Sequence, residues 1–184
     1  MMSLDTWGAT VDECSASMAG DDLIDEPHAV ATRAINLDAP PRDAFPWLRQ
    51  MGFGRAGWYS YDWVDNLGRR SARTILPQWQ HLSSGDAIPG APRGLADFTA
   101  ITVDEPHTFV MAFNGTGAVS RRIGFTLAYS LTERDSGTRL VSRMRTRIDL
   151  PGGRVMARRL LSPGDGVMVR RQLLNLAERT RLST

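Results

Sequence analysis

Residues 121–150 read RRIGFTLAYSLTERDSGTRLVSRMRTRIDL, and the alternation within them sets the architecture. In Arg121 to Leu131 the odd positions are Ile123, Phe125, Leu127, Tyr129 and Leu131; the even ones are Arg122, Gly124, Thr126, Ala128 and Ser130. In Thr138 to Leu150 the even positions hold Leu140, Ser142, Met144, Thr146, Ile148 and Leu150, while the odd ones include Arg139, Arg143, Arg145 and Arg147. Successive side chains of a strand point to opposite faces, so each segment has one inner and one wet side. Asp135-Ser136-Gly137 supplies the turn of a hairpin between them. Two such strands form part of an antiparallel sheet with one covered face.

The same period of two predicts strands over His28 to Leu37, Asp86 to Pro89, Asp97 to Val103 and Thr108 to Phe113, which makes six in all. In the first, Ala31, Arg33, Ile35 and Leu37 share a side, and the arginine among them marks that strand as half exposed. Asp38-Ala39-Pro40-Pro41 ends it and opens a helix in which Ala44, Leu48 and Met51 share a face beside Phe45. Pro46 fits that helix if it begins near Arg42, or if it kinks. A second short helix is predicted over Tyr61 to Leu67, followed by an irregular excursion from Gly68 to Gln80. The C-terminus reads as two helical segments. Met156, Ala157, Leu160 and Leu161 line one side of the first. Ser162-Pro163-Gly164-Asp165 gives a capping-box start to the second, whose apolar face is Val169, Leu173, Leu176 and Thr180. This order of elements is that of an α+β protein in two layers, the terminal helix covering the inner face of the sheet.

Ile35-Asn36-Leu37-Asp38-Ala39-Pro40-Pro41, followed by Ala44-Phe45 and Trp47-Leu48, resembles the opening of the START-like, or Bet v 1-like, helix-grip superfamily, which includes polyketide cyclase/aromatase-like and lipid-transfer proteins. Gly54 to Ala72 (GRAGWYSYDWVDNLGRRSA), Ile75 to Trp79 and the Ser162-Pro163-Gly164-Asp165 helix resemble a bacterial subgroup without an assigned function. The likeness covers about residues 29–182. It implies a curved sheet of seven strands wrapped around a long C-terminal helix, two short helices after the first strand, and a ligand cavity between sheet and helix. Such a superfamily shares a cavity, not a reaction.

The chain has 184 residues, 42% of them hydrophobic and 23% charged, which suits one ordinary globular domain with a full core. No apolar run approaches the roughly 18–20 residues of a spanning helix. The N-terminus lacks a basic and apolar signal pattern, so a cytoplasmic location is expected. Cys14, the one cysteine, has no intrachain partner for a disulfide. Charge is unevenly placed. All 22 basic residues are arginine, the first being Arg33, and seven acids from Asp5 to Glu26 precede it. Residues 1–27 therefore read as an acidic flexible leader ahead of a basic domain over residues 28–184. The leader is expected to lie on that domain's basic face. A basic body also raises a nucleic-acid contact, although alternation along the strands accounts for the arginines without one.

Chemistry concentrates in Met51 to Gly68, MGFGRAGWYSYDWVDNLG, where Trp58, Tyr59, Tyr61 and Trp63 fall within six positions. Burying one large apolar side chain is worth about 1.5–3 kcal/mol, so either the core or a ligand covers such a cluster. Gly52-Phe53-Gly54-Arg55-Ala56-Gly57 matches G-x-G-x-x-G, but a helix precedes it and aromatics follow, so it reads as a tight link and not as a dinucleotide site. Asp62, Asp65 and Asn66 share a helical face, and two carboxylates there suit acid–base work if one is desolvated. His28, His81 and His107 are too widely spaced for a metal site, and no cofactor is expected.

The resulting expectation is a domain that binds a small hydrophobic or amphipathic molecule, lipid- or polyketide-like. Its lining is assigned to Trp58, Tyr59, Tyr61, Trp63, Phe109, Met111, Phe113, Phe125, Leu127, Tyr129, Met144, Val169 and Leu173. A rival reading is a cyclase or dehydratase acting on a polyketide-like substrate, with Tyr59, Tyr61, Asp62 or Tyr129 orienting and protonating it. A third is a nucleic-acid binder using the basic face.

Overall fold

Alternation in the sequence becomes a curved antiparallel sheet. A computed structural model of the chain describes residues 4–94, 96–114, 117–118 and 120–182. Among these, six strands are β1 (Ala29–Leu37), β2 (Ala87–Pro89), β3 (Asp97–Asp104), β4 (Thr108–Phe113), β5 (Ile123–Arg134) and β6 (Gly137–Ile148). Their spatial order is β1-β6-β5-β4-β3-β2, every neighbour antiparallel. The β5–β6 hairpin sets Leu127 opposite Met144, Tyr129 opposite Ser142 and Leu131 opposite Leu140, so the two predicted inner faces become one. The superfamily likeness implied seven strands. The described residues hold six, because the stretch between the second helix and β2 is irregular apart from a single turn at Pro77–Trp79.

The concave face carries α2 (Pro41–Arg49) and the C-terminal helix, whereas α1 (Val11–Ser15), in the leader, lies on the convex side. α2 starts at its own proline. Pro46 is then its sixth residue, beyond the first turn where its missing N–H would go unnoticed. Phe45, Trp47 and Leu48 of α2 are buried, and Phe45 meets Phe109 edge to face at 6.4 Å. α3 (Asp62–Asp65) is a single turn. The C-terminal helix runs unbroken from α4 (Gly153–Met156) through one wide-turned stretch (Ala157–Leu161) into α5 (Ser162–Arg181). This corrects the expectation of two segments: a helix with one widened stretch absorbs the missing N–H at position 163 without ending. The cap read at Ser162, like the positions of Leu160 and Leu161, lies outside the described side chains. From α5, Val169, Leu173 and Leu176 enter the core.

Arg33 corrects a second expectation. It is fully buried on the inner side of β1, not half exposed. Its Nη1 meets Asp165 Oδ2 of α5 at 2.6 Å, its Nε donates to the carbonyl of Leu4 at 2.7 Å, and Asp5 lies 3.7 Å away. A buried charge needs partners, and these come from the leader and from the far end of the chain.

Residues 4–27 lie across the sheet. Ala34 N donates to the carbonyl of Trp7 at 3.0 Å, and the Arg170 guanidinium sits 5.2 Å over the Trp7 ring. On the convex side, Glu13 pairs with Arg139 at 2.7 Å, and Asp21 with Arg143 at 2.7 Å and Arg145 at 3.3 Å. Arg143 also donates to the carbonyls of Glu13 and Ala16 at 2.7 and 2.8 Å. Ile24 is buried over Gly124 of β5, where any side chain would crowd it. The hydrogen bond from Arg139 holds the Glu13 carboxyl down at about 2. Its contribution is therefore present above its ordinary value and is lost as pH falls toward 2. Deleting residues 1–26 is expected to lower stability by about 3 kcal/mol or more, the worth of the buried Ile24 and Trp7 surface plus the ion pairs. Urea denaturation at 0.05 and 1 M NaCl checks this. The parent should lose stability with salt, and the truncated chain should lose less.

Candidate functional site

The glycine-rich stretch after α2 folds back on itself. Gly52 and Gly57 exchange backbone hydrogen bonds of 3.2 and 3.1 Å. Gly57 is left-handed (φ +82°), and a Cβ there would collide with Ser71 Oγ. Two residues on, Tyr59 is also left-handed (φ +58°), a conformation that costs a non-glycine residue about 1–3 kcal/mol and survives only when its surroundings dictate it. They do. Tyr59 N donates to Ser71 Oγ at 3.2 Å, and its carbonyl accepts from Asn175 Nδ2 at 2.7 Å. Gln50 Nε2 donates to its hydroxyl at 2.7 Å. The Arg179 guanidinium lies 4.9 Å over its ring. The preceding carbonyl, of Trp58, accepts from Gln172 Nε2 at 2.9 Å.

This twist sends adjacent aromatics to different places. Tyr59 packs in the core against Trp47, ring centroids 5.9 Å apart. Trp58 faces a cavity of about 470 Å³ between the first half of α5 and one end of the sheet. Phe98 of β3 is the hub of its aromatic wall, meeting Trp58, Phe113 and Phe125 edge to face at 5.7, 6.1 and 6.0 Å. Leu127, Met168 and Val169 complete the apolar lining, and Ser60, Asp65, Asp165 and Gln172 are its polar members. Of these, Gln172 accepts from the Tyr129 hydroxyl at 2.6 Å and Asp165 holds Arg33. Ser60 Oγ and both oxygens of Asp65 are buried without a hydrogen-bond partner among the described residues. Burial first, and then neighbouring Asp62, push the Asp65 carboxyl up to about 6.

Of the residues assigned to the lining, the structure brings Trp58, Phe125, Leu127 and Val169 together around the cavity. Phe109, Met111, Tyr129, Met144 and Leu173 are fully buried in the solid part of the core, because Phe45 and Leu48 of α2, with Met51 just after it, pack into the same core. Phe113 stands behind Phe98. Trp63 is 76% exposed on the surface, and Tyr61 is half-buried ahead of α3, neither at the cavity.

The four acid–base candidates do not converge. Burial pushes the Tyr59 and Tyr129 phenols well up, so both stay protonated and bonded to Gln50 and Gln172. Asp62 Oδ1 accepts from Ser71 Oγ at 2.5 Å and from its backbone N at 3.1 Å, a structural tie. Of the two carboxylates at the cavity, Asp165 is held by Arg33 and Asp65, one turn along from Asp62, has no hydrogen-bond partner among the described residues. Phe98, Ser60, Met168 and Gln172 are lining residues absent from the expected set. The signal for Phe98 was its parity with Ala100 in the third strand, and for Gln172 its place three residues after Val169 on the helix. Among the described residues, no group of three or more His, Cys, Asp or Glu side chains is placed to hold a metal ion.

No family model and no curated protein matches the sequence. Solved structures match its fold. Protein NE0264 from Nitrosomonas europaea aligns with a TM-score of 0.54 at 13% identity, over 88% of this chain and 99% of that one. Protein MLL2253 from Mesorhizobium loti aligns at 0.53 and 15% identity, over 85% and 99%. The di-domain ARO/CYC BexL from the BE-7585A biosynthetic pathway aligns at 0.51 and 14% identity, over 86% of this chain and 52% of BexL. Identities this low carry the architecture and not the chemistry. With its curved antiparallel sheet closed around the terminal helix, the chain has the helix-grip fold that these structures share.

Proposed function

We propose that the protein binds a small hydrophobic or amphipathic molecule in the cavity between α5 and the β3–β5 end of the sheet. One observation carries this reading: a space of about 470 Å³ walled by Trp58, Phe98, Phe125, Leu127, Met168 and Val169, in a protein whose remaining concave face is filled. Ligand pockets for small molecules span about 300–1,000 Å³ and combine such an apolar lining with a few polar groups. The site fits a ring system or a short branched chain carrying one polar end.

A cyclase- or dehydratase-type enzyme is the second reading, and a single feature favours it. Asp65 is a carboxyl at the cavity wall with no charge partner among the described residues and with its proton held to about pH 6, the range useful to a general acid or base. BexL, which shares the fold, is described as an ARO/CYC protein. The basic face of β6 does not favour the nucleic-acid reading, since Arg139, Arg143, Arg145 and Arg147 are paired with acids of the leader or, for Arg147, also with Asp149.

Titration with N-phenyl-1-naphthylamine is expected to give saturable one-site binding with energy transfer from tryptophan. Val169→Phe fills the cavity and should weaken that binding at least tenfold while thermal stability stays near that of the parent. Non-saturable binding, or binding unchanged by the variant, would count against the cavity.

The raised Asp65 value sets a sign for stability. The folded chain holds this proton more tightly than the unfolded chain does, so ionising it destabilises the native state. That penalty is absent below about pH 4 and is fully developed above 6. Asp65→Asn should therefore stabilise the protein at pH 8 by about 1 kcal/mol, solvent screening of the partly exposed side chain being allowed for, and should give no gain at pH 4. Thermal unfolding of both proteins at pH 4, 6 and 8 checks this; a pH-independent difference would rule out a raised Asp65.

A further inference from the structure

α3 is inside out. In an ordinary surface turn the acids face water and the apolar residues face the core. Here Asp62 turns inward to Ser71, and the carboxylate oxygens of Asp65 are buried at the cavity wall. The residues between and after them are left outside: Trp63 is 76% exposed, Val64 46% and Leu67 66%. Leu67 is held there with a left-handed backbone (φ +51°), a strained geometry for an exposed leucine. Arg69, Arg70 and Arg73 follow at once, all exposed, with no ion pair and no side-chain hydrogen bond among the described residues. The arginines of β6 are matched by the leader's acids; these three are not.

We propose that this turn docks the protein on an anionic lipid surface. Trp63, Val64 and Leu67 enter the boundary between headgroups and acyl chains, where an indole with its polar N–H and aliphatic side chains partition together. Arg69, Arg70 and Arg73 reach lipid phosphates, each adding about fivefold to the partition. A second copy of the chain fits the patch poorly, because a two-fold contact would set the three arginines against their own counterparts. A nucleic acid would use the arginines but leave valine and leucine without a role. Ser60 and Asp65, which line the cavity, bracket Trp63 and Val64 in sequence, so docking places one wall of the cavity beside the bilayer. The proposal stands on the exposed turn and does not depend on what the cavity holds.

The test is co-sedimentation of the full chain with 100-nm vesicles. Binding to phosphatidylcholine with a quarter phosphatidylglycerol is expected, with at least tenfold less on pure phosphatidylcholine or in 0.5 M NaCl. Trp63→Ser/Leu67→Ser should lose at least tenfold, and Arg69→Gln/Arg70→Gln about twentyfold. All four positions are exposed, and unchanged circular dichroism and N-phenyl-1-naphthylamine binding would show that each variant is folded with its cavity intact. Brominated lipids should quench tryptophan emission in the parent and less so in the Trp63 variant, a readout independent of sedimentation. Absence of vesicle binding by the parent, equal binding by the variants, or a concentration-dependent dimer abolished by the Trp63/Leu67 pair would each overturn the proposal.

Discussion

Two side-chain amides on one helix hold two consecutive carbonyls, and the rest of the site follows from that. Gln172 and Asn175 of α5 donate to the carbonyls of Trp58 and Tyr59. Each amide is buried, so a slip of the helix by one position would leave donors and acceptors unpaired at about 1–3 kcal/mol apiece. The register between the helix and the glycine-aromatic stretch is therefore fixed more sharply than greasy contact alone would fix it. Tyr59 is kept left-handed by the same contacts. That kink sends one aromatic ring to the core and its neighbour to the cavity, which locates the empty space at one end of the sheet.

The second organising feature is charge. The curved sheet has a packed concave side, and its convex side would ordinarily be wet. In this chain the convex side carries a ladder of arginines from β6, and the acidic N-terminal stretch answers it residue by residue. Its apolar members fill the gaps between those pairs: Ile24 seats over a glycine of β5, and Gly20 passes close to Val110 of β4. Arg33 joins the layers, because it points inward from β1 and is matched both by the N-terminal segment and by Asp165 of the terminal helix. Removing any one of these elements leaves a charge in the interior without an answer.

Much of this was legible in the residues. Period-two alternation located the six strands and the inner parity of β5 and β6, since one face had to be apolar. The order of elements and the short motifs pointed to the helix-grip architecture. What escaped was every feature settled by a distant partner. Arg33 reads as half exposed because Asp165, 132 positions away, is invisible to local pattern. The strands alone suggest a larger cavity than the fold leaves, because nothing in β4 or β6 announces that α2 fills the space above them. Phe98 is obscured because β3 has a bulge between Ala100 and Thr102, which breaks the alternation along the strand. Asp62 and Asp65 look equivalent in sequence, one turn apart. Only the reach of Ser71 to the first makes one a tie and leaves the other bare.

The hydrogen bond from Ala34 to Trp7 has a consequence for how the molecule meets other copies of itself. β1 is an outermost strand of nine residues, and an uncovered margin of that length is a template for pairing with a neighbouring chain. The N-terminal segment lies along it and takes up one of its free amides. The opposite margin is β2, only three residues long and ending in a proline. One border is shielded and the other is blunted, so the sheet offers little purchase for intermolecular strand addition. Proteolytic loss of the N-terminal segment would open the longer border to polymerisation.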